Sequence, residues 1–342
     1  MDRSNERRPA GRGGAPGRRA MLGAAAGAAA GAALASLPAT GRAQDAPLRI
    51  LVGFPAGGSI DTLARHLAAD LGPLLRRSVI VDNRPGAGGQ IAANALKAAA
   101  PDGNTLFLTN SHTVSMIPLT VRNPGFDPAK DFVGVARVAI SPDVMGVNVR
   151  RVGERGGLRE LAAWARANPG QASVGVPAPA SAPDFAVKML SRALGAEFTS
   201  VPYRGDGPVV QDLVAGQVAA GIGSVGAMSP FVKTGQVRLV AVNLPARMPA
   251  MPDVPTYTEQ GVTGYESGNF VALYAPAGTP AEVLRQVSAA TATVAASPEF
   301  AQKVSATGVT PAFASADALA GLLREANAAF AGMVKAAGYV MP

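Results

Sequence analysis

The sequence predicts an α/β fold of two lobes that face each other across a cleft, each lobe a mostly parallel sheet flanked by helices. Short apolar runs typical of buried strands alternate with segments in which apolar residues recur at the helical spacing. Units of this design begin near residues 48 and 158. The 299 residues that follow the first 43 (342 minus 43) are also enough for two domains of ordinary size.

The first 43 residues have the features of an export signal rather than of a folded segment. Residues 1–19 are rich in arginine, residues 21–37 are almost entirely small or apolar, and residues 40–43 suit cleavage before Gln44. The apolar run is too short and too rich in glycine to span a membrane well. The pair Arg18-Arg19 fits a twin-arginine signal; a Sec signal with an incidental arginine pair is the alternative. Either signal predicts an exported protein.

The positive charge of the chain is concentrated in that leader. Seven arginines against Asp2 and Glu6 give it +5 of the total +8, so residues 44–342 keep +3. This small excess does not indicate nucleic-acid binding. The chain has no cysteine, which excludes disulfides, thiolate metal sites and a lipid-modified cysteine anchor. We therefore expect a free, soluble exported protein.

The first strand–turn–helix unit is the candidate binding element. An apolar strand covers residues 48–52, turn residues follow at 55–59, and apolar positions at helical spacing run from 60 to 71. With Ser59 as the expected N-cap, the free amides of the helix start and the bare backbone of Gly57 and Gly58 form an anion seat. The lysine of a nucleotide-phosphate loop is missing, which favours a carboxylate. An ordinary turn without ligand is the alternative.

The chain then continues as strand, helix and strand, at residues 79–81, 90–100 and 105–109. This β-α-β-α-β order indicates a parallel sheet. Between the second strand and its helix, Gly86-x-Gly88 resembles a dinucleotide fingerprint. Ile91 stands at its third glycine position, however, and no acidic residue follows a suitable second strand. We interpret this segment as a tight turn.

A second unit of the same design begins near residue 158. Helices are expected at 158–167, 183–195 and 208–215, with strands at 172–176, 198–201 and 238–243. Pro183 and Asp184 are typical of a first helical turn. The C-terminal helices, at about 281–296 and 315–337, have no partner layer of their own and should pack on the first lobe.

Nothing in the residue inventory requires catalysis. The chain has two histidines: His66 falls within the first helix, and His112 follows a strand end, where it could face the cleft or pack. Metal-ligand spacing, a nucleophile elbow and a paired set of carboxylates are all absent from the sequence. We therefore expect no metal, no cofactor and no enzyme.

Seven segments in order along the chain resemble the tripartite tricarboxylate transporter substrate-binding proteins, the Bug/TctC family. They are PAGGSIDTLAR from Pro55, VDNRPGAGGQIAA from Val81, APDGNTLFL from Ala100, FDPAKDFVGVARV from Phe126, VPYRGDGPVVQDLVAGQV from Val201, MPDVPTYTEQG from Met251 and YAPAGTP from Tyr274. Each match is weak alone, but seven in order are specific.

The resemblance implies a type II-like periplasmic binding protein that closes on a small carboxylate and delivers it to membrane permease subunits. It implies a signal at 1–43, a first lobe at 44–145 and 270–342, and a second lobe at 146–269. We expect a monomer that does not bind nucleic acid. A ligand-sensing subunit for a membrane receptor and an exported enzyme acting on a carboxylic acid are the alternatives. The implied ligand-binding residues are Phe54, Ala56, Gly57, Gly58, Ser59, Asp61, Ser181, Ala182, Tyr203 and Gly205. Tyr203 could equally pack under its loop.

The chain departs from the family pattern in the second lobe. Val176, Ala178 and Ala180 replace a loop rich in glycine and serine, which makes that wall less polar. Ala219 and Gly223 stand where many relatives carry aspartates. Loss of an acidic wall removes a partner for an ammonium group, so we expect an organic acid with an apolar or aromatic body rather than an amino acid.

Overall fold

The structure is a computed structural model that describes residues 46–265, 269–305 and 307–341. The expected export signal at 1–43 lies outside the described residues. Within the described part, no helix combines the length and the apolarity that a membrane span requires.

Strands and helices alternate through most of the described chain. The strands are β1 (Leu48–Val52), β2 (Val79–Asn83), β3 (Thr105–Asn110), β4 (Phe132–Ile140), β5 (Asp143–Asn148), β6 (Ser173–Val176), β7 (Thr199–Pro202), β8 (Ala220–Ser224), β9 (Val237–Val242), β10 (Phe270–Pro276) and β11 (Thr310–Ser315). The helices are α1 (Ser59–Leu75), α2 (Gln90–Lys97), α3 (Ile117–Thr120), α4 (Pro128–Asp131), α5 (Val149–Val152), α6 (Leu158–Ala167), α7 (Ala182–Leu194), α8 (Asp206–Ala215), α9 (Val225–Lys233), α10 (Ala281–Ala295), α11 (Pro298–Ser305) and α12 (Ala316–Ala336). A π-helical turn, His112–Met116, leads into α3.

The strands form two sheets, one in each lobe. The first has the order β11-β4-β10-β3-β1-β2, and the second has the order β7-β6-β8-β5-β9. The two-lobed α/β fold is therefore confirmed. Each sheet is mixed rather than mostly parallel: β1, β2 and β3 are parallel, as are β6, β7 and β8, but β10 and β5 pair antiparallel with their neighbours. The difference arises because β5 and β10 follow the two crossings between lobes and enter their sheets from the opposite end.

The chain crosses between the sheets at two adjacent places. The first crossing, at Ser141 and Pro142, joins β4 to β5, and the second passes through Asn269 into β10. The N–H of Ser141 donates to the carbonyl of Asn269 at 3.0 Å, so the two crossings run side by side. The expected lobe boundary between residues 145 and 146 lies inside β5, a strand of the second sheet.

The sheets are covered on both faces because their strands are apolar on both. In β1, Ile50 belongs to the same apolar cluster as Leu63 of α1, whereas Leu51 belongs to a second cluster that includes residues of α2 and α12. Of the C-terminal helices, α10 contacts α1 and β4 as expected, while α12 contacts β4 and also α7 of the second lobe. There the ring of Tyr339 meets that of Phe185 edge-on at 5.4 Å. The C-terminal segment therefore links both lobes.

Candidate functional site

A cleft of about 1170 Å³ lies between the lobes and is lined by loops of both. Four helices begin at its wall, and each of them follows the carboxyl end of a strand that pairs in parallel with a neighbour. The helix-start residues that line it are Ser59 and Ile60 of α1, Ala182 and Pro183 of α7, Asp206 and Gly207 of α8, and Gly226 and Ala227 of α9. Helix N-termini carry free amides and partial positive charge, so the cleft suits a small anion.

The turn between β1 and α1 forms a seat that differs from the expected one. The N-cap is Gly58, not Ser59, because Gly58 is extended (φ −73°, ψ 168°) and Ser59 already belongs to the helix. The amide of Gly57 donates to Oδ2 of Asp61 at 2.8 Å, and that of Gly58 donates to the carbonyl of Pro55 at 3.3 Å. Both amides are thus occupied. The amides of Ser59 and Ile60 have no acceptor among the described residues, and both residues line the cleft.

Asp61 holds this turn from beneath and does not line the cleft. Its side chain is 2% exposed. Besides the Gly57 amide, it accepts hydrogen bonds from Arg65 at 2.9 Å and from Asn83 at 2.8 Å. Burial alone would raise its pKa, but the hydrogen bonds from Arg65, Gly57 and Asn83 outweigh burial and hold the pKa below its usual value. A direct contact of Asp61 with the ligand stays a prediction, and in this structure its side chain lies behind the turn rather than in the cleft wall. Ala56, unlike Asp61, is exposed, but it does not line the cleft either.

The loop between β6 and α7 repeats the same design in the second lobe. Ser181 is the N-cap: its hydroxyl accepts from the amide of Asp184 at 3.4 Å and donates to the carbonyl of Ala178 at 2.7 Å. Oδ2 of Asp184 accepts from the amide of Ala180 at 2.8 Å. The hydroxyl of Ser181 is therefore used within the loop, and the amide of Ala182 is the donor left at the cleft.

Tyr203 and Gly205 line the cleft on the turn that follows β7. The phenol of Tyr203 donates to Oδ2 of Asp212 at 2.6 Å. Burial, then the neighbouring carboxylate of Asp212, raises the pKa of Tyr203 to about 12. Its hydroxyl thus anchors the loop, and one edge of its ring lies over Gly175 of β6. Gly205 (φ +101°) is the N-cap of α8 and donates its amide to the carbonyl of Pro177, which ties the two second-lobe loops together.

Two carboxylates in the cleft wall were missed from the sequence, and they overturn the expectation of a lost acidic wall. Asp143 begins β5 and Asp206 begins α8, and both line the cleft. A Cβ added at Gly223 would lie 2.9 Å from Oδ1 of Asp206. Asp206 thus occupies the space that a side chain at position 223 would need. The sequence did contain a signal for this acidic wall: Asp206 directly follows the Tyr203-Arg204-Gly205 turn, which was already expected at the cleft.

His112 also lines the cleft, beside the turn that follows β2. A Cβ added at Gly88 would lie 3.0 Å from its Nε2. Burial lowers the pKa of His112 to about 4, so the imidazole is neutral at pH 7. Among the described residues, no group of three or more His, Asp and Glu side chains is arranged to hold a metal ion.

Comparison with known proteins assigns the family. A family model described as the tripartite tricarboxylate transporter family receptor matches residues 63–339. The chain belongs to this family. The protein BugT of Bordetella pertussis is 32% identical over 297 residues, which cover 85% of this chain and 89% of BugT.

Solved structures of similar proteins have the same fold. The Rpa4515 protein of R. palustris with adipate is 30% identical, with a TM-score of 0.79 over 86% of this chain and 98% of its own. MatC of Rhodopseudomonas palustris with bound malate is 27% identical, with a TM-score of 0.73 over 87% of this chain and 100% of its own. The resemblance to the Bug/TctC family is confirmed, and this family is one of solute receptors.

Proposed function

We propose that this protein is a periplasmic receptor that captures a small organic carboxylate and delivers it to a membrane permease of the tripartite tricarboxylate transporter type. The observation that carries the proposal is the pair of unoccupied amides, those of Ser59 and Ile60, at a helix start that opens into the cleft. Adipate and malate in the two similar structures are both carboxylates, which supports the same ligand class here.

Binding would proceed by closure of the two lobes over the ligand. The first lobe supplies the Ser59 and Ile60 amides, and the second adds the Ala182 amide across the cleft. Each hydrogen bond to a carboxylate contributes roughly 1.5–3 kcal/mol net. Three of them amount to roughly 4.5–9 kcal/mol, so that, less the cost of ordering and closure, these amides alone would give about millimolar to micromolar affinity. Ligand contacts made only in the closed form would shift the population toward it.

The lobes already touch on one side of the cleft. The start of α9 in the second lobe lies against the loop before β11 in the first. A Cβ added at Gly226 would lie 2.4 Å from the carbonyl oxygen of Thr307, so only glycine allows this approach. A contact of this kind supports a closed state that buries the ligand, which a membrane permease would then recognise. The receptor would release its ligand unchanged, in keeping with a family of receptors, and would act as a monomer.

The experiment that tests the seat removes one amide while keeping the helix. Ser59→Pro deletes the N–H at the first helical position, where proline is favoured, and the extended Gly58 suits a residue before proline. Ser59→Ala keeps the amide and removes only the hydroxyl. Titration calorimetry with hexanoate, adipate, malate and citrate should identify a bound carboxylate in the wild type. Ser59→Pro should weaken that binding about tenfold or more, and Ser59→Ala by clearly less. Equal binding by the wild type and Ser59→Pro would reject the seat.

A further inference from the structure

The carboxylate of Asp206 lies at the N-termini of two helices in the second lobe. It is the first residue of α8, and its Oδ2 accepts hydrogen bonds from Ser224, the N-cap of α9. The amide of Ser224 donates at 3.3 Å and its hydroxyl at 2.5 Å. Because helix N-termini are where a protein holds anions, the protein's own carboxylate already fills this position. A second carboxylate on the ligand would meet a like charge there.

A second carboxylate, that of Asp143, lies close by at the hinge between the lobes. Its Oδ2 accepts hydrogen bonds from the phenol of Tyr265 at 2.9 Å and the amide of Asn269 at 2.6 Å. Burial is the main reason that the pKa of Asp143 rises to about 6; the hydrogen bond from Tyr265 opposes the rise, and the charge of Asp206 adds to it. Burial likewise raises the pKa of Asp206. The surroundings of both carboxylates therefore stabilise the ionised form less well than water does.

Side chains of the cleft wall offer these carboxylates little positive charge. Of the described residues that line the cleft, Arg204 alone carries a formal positive charge at pH 7, and Arg204 is exposed. His112 is neutral, because burial lowers its pKa to about 4. A ligand group that donates hydrogen bonds, and above all a cation, would supply what the wall lacks.

An unpartnered buried hydroxyl points independently to a ligand at this end of the cleft. Ser111 lines the cleft and is 1% exposed, and its Oγ has no hydrogen-bond partner among the described residues. In the pairing of β3 with β10, Asn110 lies opposite Val271, so Ser111 lies beside the chain that leads from Asn269 into β10. Asn269 is the residue whose amide binds Asp143. Since a buried hydroxyl is rarely left without a partner, a polar ligand group is expected beside it.

We propose that Asp206 and Asp143 form an acidic subsite that takes the far end of the ligand, so that this receptor prefers a carboxylate bearing a protonated amine over a dicarboxylate. The ligand carboxylate binds the Ser59 and Ile60 amides of the first lobe, and the ammonium group meets the two aspartates of the second. This inference rests on the proposed function, whose carboxylate seat it extends. It also replaces the expectation of a ligand with an apolar or aromatic body. That expectation rested on the missing carboxylate at position 223, and the carboxylate of Asp206 occupies the space beside Gly223 instead.

Matched series of ligands test the subsite by titration calorimetry on the whole protein. At each chain length, an ω-amino acid, the alkanoate and the diacid share one carboxylate and differ only at the far end. The series run from glycine, acetate and oxalate to 6-aminohexanoate, hexanoate and adipate. At the best chain length the wild type should bind the amino acid about tenfold or more tighter than the alkanoate, which corresponds to about 1.4 kcal/mol. It should bind the diacid more weakly than the alkanoate.

Two variants and a control assign the preference to the subsite. Asp206→Asn keeps an acceptor for Ser224 and should abolish most of the preference for the amino acid over the alkanoate. Asp143→Asn should reduce the preference as well. Asp253→Asn removes the same charge from an exposed position outside the cleft and should leave the preference unchanged.

The outcomes separate this inference from the proposed function. If alkanoates bind but no amino acid binds tighter at any chain length, the acidic subsite is wrong and the carboxylate seat stands. If the amine is preferred and both subsite variants keep the full preference, the assignment to Asp206 and Asp143 is wrong. If no carboxylate in the series binds, the proposed function fails and the inference fails with it. The comparison of the three ligand types on the wild-type protein does not depend on whether any variant folds.

Discussion

The backbone N–H of Gly57 donates a 2.8 Å hydrogen bond to Oδ2 of Asp61. The same relationship joins Ala180 to Asp184 in the second lobe, also at 2.8 Å. In both loops the donor lies just before the N-cap and has a positive φ (Gly57 +83°, Ala180 +51°), and the acceptor is the third helical residue. The aspartate fixes the left-handed residue of the loop, and the amides that remain free are those facing the cleft.

Replacing Asp61 should damage both the turn and the seat above it. Asp61→Ala removes a buried acceptor of three hydrogen bonds, so we expect a loss of about 2 to 4 kcal/mol in the free energy of unfolding. Carboxylate affinity should fall as well, because the turn is no longer held. The control is Asp70→Ala on the same helix. Its exposed ion pair with Lys303 should contribute less than about 1 kcal/mol. Equal effects in urea denaturation would contradict this role for Asp61.

Ala180 is the position in the second loop where glycine should improve the protein. A left-handed φ costs a residue with a Cβ roughly 1–2 kcal/mol, and the entropy gained by glycine in the unfolded state cancels part of that. Ala180→Gly should therefore raise the free energy of unfolding by about 0.5 to 1 kcal/mol. Ala178, in the same loop, does not have a positive φ. Ala178→Gly should destabilise the protein by a similar amount, and the opposite signs make the measurement specific.

Local sequence patterns predicted the turns of the site well. They did not predict the contacts between segments that are distant in the sequence. The glycine turn and the start of α7 at Pro183 and Asp184 follow from residues adjacent in sequence, since helix ends use local signals. The occupation of the Gly57 amide depends on which way the Asp61 side chain turns, and either direction fits the same sequence. Likewise, Asp143 and Asp206 meet only because β5 and the β7–α8 turn are neighbours in the folded second lobe.

The main error in predicting the fold was that several strands were missed, among them those that adjoin the two crossings between the lobes. β4, β5, β8, β10 and β11 were not assigned as strands from the sequence, although β10 is buried throughout. A short run buried on both faces has no alternation to distinguish it from a buried helix. Its direction depends on where the chain re-enters the sheet, which local spacing does not encode. The mixed sheets and the hinge at Asp143 therefore became visible only in the structure.

The half-buried Asp143 should make the unliganded protein less stable as the pH rises. Its pKa is about 6 in the folded state against 3.8 for an ordinary carboxyl, so the folded protein binds more protons between these values. The contribution of Asp143 to the free energy of unfolding is therefore lost as the pH rises from about 4 to 6. Asp143→Asn, which cannot ionise, should match the wild type near pH 4 and exceed it by about 2 to 3 kcal/mol at pH 7. Asp253→Asn should show no such divergence in urea melts at the two pH values.

His112 should give the opposite slope in the same pH range. Its pKa falls to about 4 on folding against 6.5 for an ordinary imidazole, so the unfolded protein binds more protons between these values. Stability is therefore lost as the pH falls from 6.5 to 4. His112→Gln cannot take up the proton and should gain about 2 to 3 kcal/mol relative to the wild type between pH 7 and pH 4. His66→Gln on α1 is the matched control for the loss of an imidazole. If His112→Gln tracks the wild type, His112 is solvated in the cleft and free to take up a proton.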